Sequence, residues 1–282
     1  MIFIDIFCFH CFIQDPVTRN HWNKLQRTGI LSTELVDRIF KQFFLKGVVK
    51  NDILSLMEHF GLIAKFSTSS CDAENSESYF VPAQMIAGIE SLPDIEPLKY
   101  DPCPLYIDFC TGFVPHGLFA QIVSRSIRWV SEMTVRRKTS SGCNPLRKRV
   151  KSEATPDIKL CQNGACFIVR RNIAHRLKLI CEKRFIKILL KKDEKAQQSQ
   201  EDSSNEIAAQ VLEFLENTLQ DLSEKFRYLH GLQYRLCVAC PSCGVEDLVD
   251  IEDMSCTVSQ DSVVVDGAEQ WLTRTTVEVK KK

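Results

Sequence analysis

The sequence predicts an α+β protein in two parts. Two short amphipathic helices and a pair of strands come first, and strand-like segments with one long amphipathic helix follow a proline-rich stretch. The 282 residues are 44% hydrophobic and 26% charged. This composition is typical of globular proteins, and it excludes a disordered polyelectrolyte, a collagen-like fibre and a multi-span membrane protein.

Residues 1–16 open with an apolar run that we interpret as a leading strand. Asp5 and His10 interrupt the run, and it is shorter than the about 20 apolar residues that a membrane-spanning helix needs. It also lacks the basic start and small-residue cleavage site of a signal peptide. We therefore expect no membrane association. A strand that begins at Met1 also suggests the remnant of an upstream domain, which would make the chain a fragment.

Residues 17–100 are expected to form the first lobe. Ser32 and Asn51 are good N-caps for two successive helices. Strand signals follow over residues 62–66 and 79–82, on either side of a polar loop. Helix, turn, helix, strand, loop, strand is the element order of a winged helix. The second helix carries one apolar stripe, formed by Ile53, Leu54, Met57 and Phe60.

Residues 104–245 are expected to form a second α/β lobe with an antiparallel sheet. Four prolines between residues 93 and 104 mark the linker that precedes it. Residues 105–109 alternate as a strand, and a turn at residues 112–115 leads into a helix. The apolar positions of that helix are Leu118, Phe119, Ile122, Val123, Ile127 and Val130.

A hairpin and a long packed helix complete this lobe. Asn163-Gly164 lies between two apolar runs, and this dipeptide supplies both positive φ angles of a type I′ turn. Residues 176–190 predict two more strands, and residues 206–229 a helix with a continuous apolar stripe. That stripe is expected to pack on the sheet, with a dimer seam as the alternative. Residues 246–282 form an acidic tail with a strand expected over residues 262–265.

The net charge is zero because a basic block and an acidic block cancel. Residues 132–200 carry 18 basic and 6 acidic side chains, whereas residues 201–282 carry 7 basic and 16 acidic ones. Blocks of opposite sign usually neutralise each other within a chain, which argues against a nucleic-acid partner. The pairing that we expect brings Lys178, Lys183 and Lys187 near Glu213, Glu216 and Glu224.

One basic patch is not accounted for by the expected pairing of basic and acidic residues. Residues 133–155 show no hydrophobic period and are interpreted as an exposed loop, whose basic residues at 136–151 resemble a nuclear address or a phosphate-contacting loop. The alternative function is therefore a zinc-stabilised nucleic-acid-binding protein that uses this loop. A merely solvated loop is the competing interpretation. The helix over residues 52–60, which a winged helix would place in a major groove, carries no Lys or Arg.

The 13 cysteines indicate free thiols, and four of them have metal-ligand spacing. Their scatter through apolar stretches indicates a reducing compartment, and we expect a cytoplasmic protein. A Cys-x-x-Cys turn directs two thiolates at one metal ion, and a more distant segment supplies the other ligands. Four cysteines would leave no open position, so the zinc ion would be structural. Buried thiols at a strand end are the alternative. The four candidate ligands are Cys237, Cys240, Cys243 and Cys256.

The motifs of the common enzyme classes are missing from the sequence. There is no GxxxxGK(S/T) loop, no HRD or DFG element, and no GxSxG, HExxH or GxGxxG. The six histidines are dispersed, and none is placed beside a Cys or Ser in a way that suggests a nucleophile and its base. We therefore expect that the chain is not an enzyme.

Four ordered segments resemble the COR domain, the region that follows the Roc GTPase in Roco proteins. They are Trp22 to Ser32, the LSLMEHF run from Leu54 to Phe60, the YFVP run at residues 79–82, and the GFVPHGLF run at residues 112–119. The resemblance covers most of residues 9–240. The chain departs from the family after Asp15-Pro16, where the usual helix is expected to be shortened or missing before Trp22.

The resemblance implies a scaffold rather than a catalyst. COR domains have two lobes, pack on the Roc GTPase, relay its nucleotide state and dimerise, largely through the second lobe. The implied partners are a Roc-type GTPase domain and a second copy of the chain, and GTP would be bound by a Roc domain outside this sequence. The contact surface is expected at Tyr79, Phe80, Val81, Pro82, Phe113, Pro115, His116, Leu118 and Phe119.

Overall fold

A computed structural model describes most of the chain after residue 14. The described residues are 15–44, 50–60, 62–67, 77–81, 85, 87–98, 101–140, 158–170, 174–193, 202–256, 258 and 262–272. Within them the fold is α+β, with six α-helices and two antiparallel sheets, as the sequence predicts. The expected leading strand lies outside the described residues. None of the described helices has the length and apolarity that crossing a lipid bilayer requires.

The first helix, α1 (Pro16–Thr28), begins directly after Asp15 and runs through Trp22, so the expectation that a helix is missing before Trp22 is wrong. The Asp15 side chain accepts hydrogen bonds from the backbone N–H groups of Val17 and Thr18, and Pro16 occupies the first turn. Both residues favour a helix start, because the cap satisfies free N–H groups and proline lacks one. Gly29 ends the helix in the left-handed conformation, at a φ of 66°.

The next elements are β1 (Ile30–Ser32), α2 (Thr33–Phe44) and α3 (Lys50–His59). The Oγ of Ser32 accepts a hydrogen bond of 3.4 Å from the Leu35 N–H, which confirms Ser32 as the cap of α2. Helix α3 starts one residue before Asn51 rather than after it. Phe60 lies beyond the end of α3 and is 58% exposed, so it does not share the buried stripe of Leu54 and Met57.

Strands β2 (Ala64–Ser67) and β3 (Glu77–Phe80) form the predicted pair, and β1 joins β3 from the other side. The sheet order is β1-β3-β2. The two faces of this sheet serve different cores. Ile63, Tyr79 and Val81 pack among the three helices, whereas Ala64 and Phe80 belong to the core of the larger sheet. The alternation of side chains along the strands produces this division.

The larger sheet has seven strands in the order β10-β9-β4-β8-β7-β6-β5. Every neighbouring pair is antiparallel. Strand β4, the first strand of this sheet in the sequence, is third in the spatial order and lies between β8 and β9. The strands are β4 (Leu105–Phe109), β5 (Ile158–Cys161), β6 (Gly164–Arg170), β7 (Ala174–Cys181), β8 (Phe185–Lys192), β9 (Tyr234–Cys240) and β10 (Gly244–Asp250).

The β5–β6 hairpin forms, but not with the type I′ turn that the sequence predicts. Cys161 pairs with Gly164, so the turn residues are Gln162 and Asn163, and neither Asn163 nor Gly164 has a positive φ. Gly164 is needed for close packing instead. A Cβ at this position would lie 2.7 Å from Cδ1 of Leu92 and 2.9 Å from Sγ of Cys161.

Two long helices, α4 (Leu118–Ser140) and α5 (Asp202–Lys225), pack on one face of the large sheet. The rings of Trp129 and Phe214 stack between them with centroids 4.7 Å apart. Helix α4 extends to Ser140, so residues 133–140 are helical rather than part of the expected loop. Helix α5 ends at Lys225 because Phe226 is extended, and a 3₁₀ turn covers Arg227–Leu229.

The opposite face of the sheet is covered by the stretch expected to be a linker. Leu92 and Ile95 are buried against Cys161 and Leu189. Lys178 is buried on this face and donates a hydrogen bond of 2.9 Å to the carbonyl of Pro93. The predicted partnership of Lys178 with glutamates of α5 is therefore wrong, since α5 lies across the sheet.

A second predicted partner of those glutamates also lies elsewhere. Lys187 stands over the ring of Tyr106, whose side chain belongs to a small cluster outside the main core. Glu216 is surrounded by other acids. The pKa of Glu216 is raised above its usual value, mainly by burial and then by the charges of Glu252 and Glu213.

The C-terminal described segment has little regular structure. The strand expected over residues 262–265 is only one isolated bridge, between Ser255 and Ser262. The short helix α6 (Glu269–Leu272) closes the segment, and its Trp271 is buried. The indole Nε1–H of Trp271 donates to the carbonyl of Cys103 over 3.0 Å. This contact ties the last described helix to the residues that precede β4.

Candidate functional site

Three thiols and a carboxylate meet at the end of the β9–β10 hairpin. The Sγ atom of Cys256 lies 3.7 Å from that of Cys240 and 3.9 Å from that of Cys243. It also lies 2.9 Å from Oδ2 of Asp247. One ligand atom from each of these four residues lies within 4.8 Å of every other. They are close enough to hold a metal ion.

The hairpin turn places the first two thiols. Cys240 ends β9, and Gly244 begins β10 with a φ of 69°, a conformation that glycine adopts without strain. The turn directs the backbone N–H groups of Cys243 and Ser242 at the Cys240 sulfur. These hydrogen bonds lower the pKa of the Cys240 thiol. The pKa of the Cys243 thiol is raised to about 11. The main cause is the hydrogen bond between Cys243 and Cys240, and the second cause is burial.

An irregular register places Asp247. Gly244 pairs with Cys240, but the next pair is Leu248 with Ala239, so β10 has three extra residues between these two pairs. This bulge brings Asp247 to the thiols, where it is 8% exposed. The sequence analysis missed Asp247, and only the spacing of an acid four residues after Cys243 could have pointed to it.

Cys237, the fourth predicted ligand, lies on the other face of the sheet. It precedes Cys240 by three residues on the same strand, and an odd separation places two side chains on opposite faces. Cys237 packs with Tyr106 and Leu248. Burial raises the pKa of the Cys237 thiol to about 12. The structure thus brings together Cys240, Cys243 and Cys256 and leaves Cys237 outside.

A second polar cluster, which the sequence analysis did not identify, lies at the C-terminal end of β4. The carboxylate of Asp108 is 1% exposed and accepts hydrogen bonds of 2.7 and 2.8 Å from the Arg184 guanidinium. Arg235 donates a third, of 2.9 Å. Burial alone would raise the pKa of Asp108, but the hydrogen bonds from Arg184 and Arg235 hold it below its usual value. This ion cluster joins β4, β9 and the turn before β8.

The predicted contact residues divide into core and surface. Buried positions are Tyr79, Phe80, Val81, Leu118 and Phe119. Phe113 is 55% exposed, His116 is exposed and Pro115 is half-buried. Pro82 lies outside the described residues. The part of the predicted surface that a partner can reach directly is therefore the turn from Phe113 to His116.

Helix α4 connects the two sheets. Its Ser124 Oγ donates a hydrogen bond of 2.8 Å to the carbonyl of Lys65, and its Gln121 Nε2 donates one of 3.4 Å to the carbonyl of Ile63. Both acceptors lie in or beside β2. An ion pair between Lys225 and Glu58, at 3.6 Å, adds a link from the end of α5 to α3.

No protein-family model matches the chain, and no curated protein matches it either. Its function must therefore be inferred from its own geometry.

Proposed function

We propose that the chain is a non-catalytic regulatory and dimerisation module of a Roco-type protein. In this role it couples a Roc-like GTPase domain to its partners, without binding GTP itself. The observation that carries the proposal is the direct bonding of the small sheet to helix α4 of the large sheet, through Ser124 and Gln121. A displacement imposed on one part must be transmitted to the other, because these buried contacts are not continuously deformable.

The order of elements supports a winged helix as the first lobe. Helix, strand, two helices and a strand pair follow one another over residues 16–80, and the sheet order is β1-β3-β2. The seven-stranded antiparallel sheet with α4 and α5 forms the second lobe. The proposal assigns these two units to the two lobes that the COR resemblance implies.

The proposed partner surfaces follow from exposure. The first lobe contacts the Roc-type GTPase, and the second lobe associates with its twin. The exposed ring of Phe113, next to Pro115 and His116, is the apolar contact in this proposal. The free thiols among the described residues are consistent with the proposed cytoplasmic location.

Light scattering at several protein concentrations tests dimerisation, and binding to a Roc domain loaded with GDP or a GTP analogue tests coupling. Phe113→Asp should weaken one of these associations about 30-fold, which corresponds to the about 2 kcal/mol of an aromatic anchor. Val264→Asp is the matched control, because Val264 is 83% exposed and lies outside the proposed surface. A strict monomer that binds no Roc domain would contradict the proposal.

The proposed function includes a structural zinc ion at the thiol cluster. This ion is shared with the alternative function, a zinc-stabilised nucleic-acid-binding protein that uses residues 136–151. The side chains of that loop lie outside the described residues. The observation that favours the alternative is therefore the thiol cluster, which could hold the zinc ion that this function requires. A gel shift that weakens with salt and disappears on neutralising the loop would support it.

A further inference from the structure

Two of the sulfur–sulfur distances in the cluster are those of ligands around one tetrahedral metal ion, and all three sulfurs lie within 4.8 Å of one another. Two sulfurs bound to zinc at about 2.3 Å lie about 3.8 Å apart in a tetrahedron. The observed separations are 3.7 Å for Cys240 and Cys256, and 3.9 Å for Cys243 and Cys256. Little movement of the chain is therefore needed to bring all three sulfurs to one ion.

The geometry points to a zinc site whose four ligands are Cys240, Cys243, Cys256 and Asp247, with Cys237 excluded. The inference deepens the zinc part of the proposed function, and it is independent of the assignment to Roco-type proteins. Three thiolates select zinc over the hard cations magnesium and calcium, and one carboxylate is compatible with zinc. The site is thus a Cys₃Asp site rather than the Cys₄ site that the sequence predicts.

Asp247 has to move slightly away from Cys256 when a metal ion binds. Its Oδ2 accepts a hydrogen bond of 2.9 Å from the Cys256 thiol. Ligands at about 2.0 Å and 2.3 Å in a tetrahedron lie about 3.5 Å apart, so zinc binding separates this pair slightly. The Cys256 proton leaves as the metal enters, as do the protons of the other two thiols.

Burial makes the site structural rather than catalytic. Cys240 and Cys256 are each 2% exposed, and four protein ligands fill the tetrahedron. The backbone N–H groups of Cys243 and Ser242 donate to the Cys240 sulfur and offset part of the negative charge of the ligand set. No coordination position is left for a substrate or a water nucleophile.

The role of the ion is to hold the C-terminal segment on the sheet. Between β10 and α6 the described chain has one isolated bridge, Ser255 with Ser262. Its backbone hydrogen bonds in this stretch are local, apart from the one that Ile251 donates to the carbonyl of Leu236 in β9. Cys256 is the residue of this segment that reaches the hairpin turn. A metal bond from Cys256 therefore supplies the attachment that regular secondary structure does not, while Trp271 anchors the far end.

Zinc content of the purified full-length chain tests the ligand set. We expect about one zinc ion per chain. Cys240→Ser should abolish binding, whereas Cys237→Ser, a change of the same kind three residues away on the same strand, should retain it. Asp247→Ala should weaken zinc binding at least about 10-fold. Zinc that remains bound in Cys240→Ser would overturn the ligand set. Loss of zinc from Cys237→Ser, together with retention of zinc by Asp247→Ala, would also overturn it.

Cobalt substitution keeps the test decisive if a variant fails to fold. Thiolate-to-cobalt charge-transfer absorption scales with the number of bound thiolates, and the unmodified chain should show the intensity of three. Intensity for four thiolates would indicate that Cys237 is a ligand and overturn the Cys₃Asp site. If the folded metal-free chain binds neither cobalt nor zinc, the metal site is refuted, and the dimerisation and Roc-binding tests are unaffected.

Discussion

The Oγ of Ser124 donates a hydrogen bond of 2.8 Å to the main-chain carbonyl of Lys65, 59 residues earlier in the chain. Ser124 lies in helix α4 against the large sheet, and Lys65 lies in strand β2 of the small one. Ser126, two residues further along the same helix, donates instead to the carbonyl of Ile122 in its own helix, over 2.8 Å. Two buried serines therefore perform different tasks, one between the sheets and one within a helix.

Removing the Ser124 hydroxyl should loosen the junction between the sheets. Ser124→Ala should lower the free energy of unfolding by about 1–2 kcal/mol, since the Lys65 carbonyl loses the hydrogen bond that the buried Ser124 hydroxyl donates. Ser126→Ala is the matched control and should change it by less than about 0.5 kcal/mol, because a bond to the preceding helical turn adds little. Urea denaturation measures both values. Equal losses would show that Ser124 has no special role at the junction.

The Asp108 cluster predicts an acid-dependent contribution to stability. Asp108→Asn should lower the free energy of unfolding at neutral pH by about 3 kcal/mol, because Arg184 and Arg235 lose a charged acceptor. Asp221→Asn, which removes the exposed partner of Arg125, should cost at most about 1 kcal/mol.

The pH dependence has a definite sign. The pKa of Asp108 is lowered in the folded chain, so its contribution is complete above the unfolded pKa of about 3.9 and is lost as the pH falls through the folded value. Thermal unfolding between about pH 6 and 2.5 should therefore show a steeper acid loss for the unmodified chain than for Asp108→Asn. Parallel curves would contradict the assignment.

The packing of Leu92 on the sheet predicts a coupled pair of substitutions. Gly164→Ala should cost about 1–3 kcal/mol, since its Cβ would lie 2.7 Å from Leu92 Cδ1. In a Leu92→Ala background the same change should cost at least about 1 kcal/mol less. Gly112→Ala serves as the control. Its cost in stability comes from the φ of 78° at this position, where a Cβ would meet open space. Leu92→Ala should therefore not reduce the cost of Gly112→Ala.

Thiol reactivity should separate buried from exposed cysteines outside the metal cluster. Burial raises the pKa of Cys103 and of Cys237 to about 12, whereas Cys110 is exposed. In the native chain at about pH 8, iodoacetamide should modify Cys110 at least about 100-fold faster than Cys103 or Cys237. Peptide mass spectrometry measures the rates, and denatured chain is the control in which the difference should vanish. Comparable rates in the native chain would contradict the burial of Cys237 and the partial burial of Cys103.

Chelation of zinc should release the C-terminal segment. If Cys256 attaches residues 251–265 through the metal, removing the ion should make this stretch cleavable by a protease while the strands of the large sheet stay protected. Limited proteolysis followed by mass spectrometry locates the cuts, and re-addition of zinc should restore protection. The same cleavage pattern with and without metal would argue against the attachment.

Local patterns predicted the elements that are long or cleanly alternating. The α2 helix after Ser32, strand β4 and the β7–β8 pair all occur close to the expected positions, because their periodicity is a property of neighbouring residues. Strand β1 was not predicted, since three residues carry no readable period and exist as a strand only through pairing with β3. The turn at Gln162-Asn163 was misread because Gly164 serves the packing of Leu92.

The thiol cluster shows the same limit at the level of single residues. The Cys-x-x-Cys turn is a local signal, and it correctly indicated Cys240 and Cys243. Whether Cys237 could join them depends on the face of β9 from which it projects, and Asp247 reaches the cluster through a change of register with the neighbouring strand. Neither fact can be read from spacing alone.

The sequence by itself determined the α+β class, the main helices and strands and the presence of a thiol-rich turn, because these depend on periodicity and short-range spacing. Only the tertiary structure decided which faces meet. It placed Lys178 across the sheet from the acidic helix, joined Ser124 to Lys65, and chose Asp247 over Cys237 beside the thiols. Strand order and register bring together residues far apart in the chain, and one odd step along a strand reverses the face on which a side chain lies.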